Sequence, residues 1–100
     1  MMKKYALYVK TYLDRREVLE QLAEECAEMC KASLKMIRAE GLSDNPTPTT
    51  GVKAREDFIE ELYDVLAVLY VLNVQAVWPM VSDYWKWKRW AERLGYKEAA

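Results

Sequence analysis

The segment Phe58-Ile59-Glu60-Glu61-Leu62-Tyr63-Asp64-Val65-Leu66 puts acids inside a stretch whose other residues favour burial. On a helix, Glu61 and Asp64 share one face, about one turn apart. Phe58, Leu62, Val65, Leu69 and Leu72 recur at alternating spacings of four and three and form an adjacent apolar stripe. The pattern repeats upstream, where Glu25 and Glu28 lie beside a stripe of Leu19, Leu22, Cys26, Met29 and Ser33. A carboxylate at the edge of a core costs free energy unless a cation compensates it. Two helices that each offer such a pair lead to the expectation of one four-carboxylate site. Glu17, Glu20, Glu24, Glu56 and Glu60 read as ordinary solvated acids.

The chain has 100 residues and no histidine. That length suits one domain with a modest core. Without histidine there is no Ser-His or Cys-His nucleophile pair and no His-ligated zinc or di-iron centre. A metal here must be a hard cation held by oxygen: magnesium, manganese or calcium. The net charge of −1 gives no bulk attraction for a nucleic acid polymer. Cys26 and Cys30, one turn apart, read as core residues rather than a disulfide, and with no signal-peptide pattern the expected compartment is cytoplasmic.

The expected architecture is all-α. Lys3 to Leu13 reads as a short N-terminal helix. Asp14 and Glu17 have the spacing of a capping box, opening a helix over about 15–40 that Gly41 ends. Residues 41–51 hold two prolines and two glycines and form the one real loop. A second long helix is expected over 52–77 and a third over 79–94, before Gly95. Val65 to Ser82 carries no formal charge, but Asn73, Gln75 and Pro79 interrupt it, so burial by its own chain and a second copy is expected rather than a membrane. The third helix interleaves Trp85, Trp87 and Trp90 with Lys86, Lys88 and Arg89. That composition suits base stacking and phosphate, or an amphipathic packing helix.

Glu24-Glu25-x-x-Glu28, followed after one loop by Glu61-x-x-Asp64-Val65-Leu66, resembles the signature of the MazG-like all-α nucleoside triphosphate pyrophosphohydrolases. The resemblance spans roughly residues 15–94 and covers a single MazG-like helical domain over 1–100, without a second repeat. It implies Mg²⁺ held by Glu25, Glu28, Glu61 and Asp64, with manganese as a substitute. It also implies a bundle completed by a homodimer or dimer of dimers, and hydrolysis of a (d)NTP to monophosphate and pyrophosphate. Lys86 and Arg89 match the late Lys-x-x-Arg of the family. Lys31, Lys35, Lys53 and Arg55 are alternative phosphate contacts, and Lys35 leads them because it lies two turns from Glu28 on the same face. Two other readings stay open: a phosphoribosyl-ATP pyrophosphatase, and a non-enzymatic helical adaptor.

Overall fold

In the computed structural model, which describes residues 3–45, 47–74 and 78–99, all regular structure is helical. The elements are α1 (Lys3–Tyr12), α2 (Arg15–Ala39), α3 (Gly51–Val71), α4 (Trp78–Ser82) and α5 (Lys86–Arg93). α2 packs along α3, and α1 packs on α3 to a lesser extent.

Local chemistry sets the ends of α2. Asp14 accepts from the Glu17 backbone N–H at 2.8 Å, and the Glu17 carboxylate accepts from the Asp14 N–H at 3.0 Å, so the capping box forms as expected. At the other end Gly41 adopts φ 76°, and Leu42 N–H returns to the Ile37 carbonyl while Gly41 N–H returns to Arg38. This paired return is a Schellman motif, and the left-handed residue it needs is least strained as glycine. Gly95 closes α5 in the same way.

α3 is shorter than expected. It stops at Val71, because Asn73 takes φ 61° and donates to the Tyr70 carbonyl while Val74 N–H reaches Leu69. Asparagine is the non-glycine residue that best tolerates this conformation, so Asn73 acts as a stop signal rather than a polar interruption. Residues 75–77, the rest of the expected span, lie outside the described residues. The expected third helix over 79–94 is two helices, α4 and α5, broken at 83–85. They are joined by the Trp87 indole Nε1, which donates to the Val81 carbonyl at 2.7 Å.

The packing seam of α2 also differs from the expected stripe. Val18, Leu22, Glu25, Met29, Ala32, Met36 and Ala39, spaced by four and three, are all buried or half-buried and form that seam. Leu19, Cys26 and Ser33 are exposed, and so is Cys30, so neither cysteine belongs to the core. The opposing seam of α3 is Ala54, Phe58, Glu61, Val65, Val68 and Leu72. The expected α3 stripe therefore faces inward, but Glu61 stands within its seam, and Glu25 stands within that of α2.

The antiparallel register that brings Glu25 to Glu61 puts Ala32 level with Ala54, seven residues away on each helix. Ala54 is fully buried and Ala32 nearly so, with Val18 the third buried apolar residue described. Small residues here let the helices approach closely and hold the carboxylates one seam apart. Ala54→Leu would overpack this crossing and is expected to cost about 1–3 kcal/mol. Urea or thermal unfolding checks it, and a variant as stable as the parent would show that the crossing has room to spare.

One chain buries little else. Ile59, Tyr63, Leu66 and Tyr70 form a second apolar stripe on the other side of α3, and all four are exposed. The radius of gyration is 17.8 Å, against roughly 13 Å for a compact chain of about this length.

Candidate functional site

Glu25 on α2 and Glu61 and Asp64 on α3 converge, each offering a carboxylate oxygen within 4.8 Å of the others. Opposite ligands of a hard cation, at 2.0–2.6 Å from it, lie about 4–5 Å apart. Glu25 and Glu61 arrive there because they occupy seam positions, and both are half-buried. Gln21, one turn before Glu25, donates its amide to Glu25 Oε1 at 2.8 Å and orients that carboxylate. Burial pushes the Glu61 pKa above its ordinary 4.5, and the charges of Asp64, Glu28 and Glu25 add to the shift, as does a hydrogen bond with Asp64.

Glu28, expected as the fourth ligand, stands outside this triad. Its Oε1 lies 3.7 Å from Lys31 Nζ, one turn along the same helix. It is near enough to repel Glu61 but is exposed and partly engaged. The reason is angular: Glu28 lies off the seam that carries Glu25.

Beside the triad runs a surface groove of about 530 Å³, lined by Glu28, Lys31, Lys35, Arg38, Asp57 and Glu61 among others. Lys31, Lys35 and Arg38 are spaced by four and three and share one face of α2. Lys35 thus lies on the groove next to the carboxylates. Of the other contacts expected, Lys86 and Arg89 belong to α5 and are not among the groove residues. The Arg89 guanidinium instead lies over the Trp85 ring, 5.2 Å from its centroid, and Trp87 stacks on Trp90 with centroids 5.6 Å apart.

Sequence reading missed Asp57. Its Oδ1 accepts from Lys53 Nζ at 2.8 Å on the same helix, and its Oδ2 from Lys35 Nζ at 3.4 Å across from α2. The hydrogen bond from Lys53, followed by its charge and by Lys35, draws the Asp57 pKa below its ordinary value against the opposing effect of burial. The four-residue spacing from Lys53 to Asp57 was visible in the sequence; the reach of Lys35 across the helix pair was not.

The set is all oxygen, preorganised by two helices, repulsive when empty of cation and flanked by ammonium and guanidinium groups. Such an arrangement can hold a hard divalent ion and an oxyanion side by side. Comparison of the chain with protein-family models, with curated proteins and with solved structures finds no match.

Proposed function

We propose that this protein is a Mg²⁺-dependent nucleoside triphosphate pyrophosphohydrolase that converts a (d)NTP to the monophosphate and pyrophosphate, acting as a homo-oligomer. The observation that carries the reading is the convergence of Glu25, Glu61 and Asp64 from two helices within 4.8 Å, beside a groove lined by Lys31, Lys35 and Arg38. Hard carboxylate donors without nitrogen or sulfur fit Mg²⁺, with Mn²⁺ as a substitute. Glu25, Glu61 and Asp64 would hold the ion and Glu28 its outer side; when bound, the ion supplies charge neutralisation and a more acidic water.

The chain's own groups do the rest. A carboxylate of the cluster not fully used by the ion suits accepting a proton from an attacking water. Lys35, Lys31 and Arg38 lie where the outer phosphates would extend, and their charge favours departure of pyrophosphate. The exposed Ile59-Tyr63-Leu66-Tyr70 stripe supports completion of the bundle by a second copy. A role in clearing the nucleotide pool rests on the motif resemblance.

A pyrophosphate-release screen across canonical and damaged NTPs with Mg²⁺ tests the activity; silence on every nucleotide would sink it. The same assay tests α5. Trp85→Ala is expected to raise KM about ten- to a hundredfold with kcat little changed, if its ring stacks the base. Trp87→Ala, which loses the bond to Val81 and the stack on Trp90, should instead lower the melting temperature. Unchanged KM for Trp85→Ala places the base elsewhere.

A further inference from the structure

Asp57 serves two cations unequally. Lys53 sits at 2.8 Å on its own helix, four residues away, whereas Lys35 reaches over from α2 and stops at 3.4 Å. One carboxylate is thus already matched by the nearer ammonium, and the second ammonium is held by the longer, weaker contact. The Lys35 side chain is 40% exposed and lines the groove that Lys31 and Arg38 also line; Lys53 does not line it. Its neighbour Lys31 is engaged by Glu28, and Arg38 makes no ion pair with a described residue.

We propose that Asp57 is a positioning residue that keeps Lys35 in reserve: it retains Lys53 and yields Lys35 to a polyphosphate entering the groove. The physical reason is a competition for one ammonium. A di- or triphosphate carries several negative charges and many acceptor oxygens, so it outbids a single carboxylate whose charge Lys53 already balances. The identity of the anion rests on the pyrophosphohydrolase reading; the anion site itself can be tested without turnover.

The experiment is calorimetric titration of inorganic tripolyphosphate into the full chain at constant millimolar Mg²⁺, with melting curves confirming that each variant is folded. Asp57→Asn, or Asp57→Ser should the first not fold, removes the competitor. It is expected to tighten tripolyphosphate binding about two- to fivefold, the scale of an exposed ion pair. Lys35→Met should weaken binding, and in the Lys35→Met background Asp57→Asn should bring no gain. Lys53→Met should weaken binding only while Asp57 is present, because Asp57 then holds Lys35 alone. The idea is overturned by weaker or unchanged binding in Asp57→Asn, or by an equal gain with and without Lys35, which would mark a general field effect. It is likewise overturned by a parent chain that takes up no tripolyphosphate. If the expected pattern appears while no NTP yields pyrophosphate, the Asp57 inference stands and the catalytic reading falls.

Discussion

Glu61→Gln is expected to melt at a higher temperature than the parent chain in EDTA, and to lose both the response to Mg²⁺ and turnover. Glu61 lies half-buried in the helix seam with three carboxylates around it, and its pKa is raised above 4.5 chiefly by burial. The folded chain therefore binds this proton more tightly than the unfolded chain does. In the window from about pH 4.5 up through the raised value, the unfolded state carries fewer protons, so stability falls as pH rises. Above that window the metal-free parent bears the whole of this cost, and the amide of glutamine removes it. A divalent ion held by the proposed site would relieve the same repulsion by binding only the folded state. At a hundred times Kd that stabilises the parent by about 2.7 kcal/mol, or roughly 10–20 °C in a chain of this size. Differential scanning fluorimetry with and without Mg²⁺, at several pH values, reads all of this. A parent whose melting temperature ignores Mg²⁺ at neutral pH, or a Glu61→Gln variant that keeps near-native turnover, would refute the metal site.

Leu66→Glu is expected to turn an oligomer into a monomer while leaving the α2–α3 pair folded. Leu66 is 45% exposed and sits in the stripe Ile59-Tyr63-Leu66-Tyr70, which faces away from α2. A charge there meets water in the free chain, so its cost falls on whatever covers the stripe. Leu72→Glu differs, since Leu72 lies half-buried in the α2-facing seam and caps α3. A charge at that position should damage fold and assembly together. Light scattering and circular dichroism on the two variants separate these effects. A parent that runs as an 11.8 kDa monomer at micromolar concentration would overturn the proposed assembly.

Sequence alone determined the features that depend on neighbours within a turn or two. The capping box of Asp14 and Glu17 and the left-handed stops at Gly41 and Gly95 are written in local backbone chemistry, and all three form as the residues dictate. The absence of histidine removed imidazole from any metal site before a fold was known. The inward stripe of α3 was equally legible, since period and composition agree along it. What the sequence left undecided was rotation and reach. Reading Leu19, Cys26 and Ser33 as the α2 seam avoided putting an acid in it; the structure turns the helix by one position and sets Glu25 there. Ala32 and Ala54 are both buried in the pair, and apolar spacing carries no information about which small residues will be. The same rotation separates Glu28 from the triad and brings Lys35 to Asp57, 22 residues away in the chain. Such pairings are set by the angle and offset of two packed helices, a property of neither helix alone.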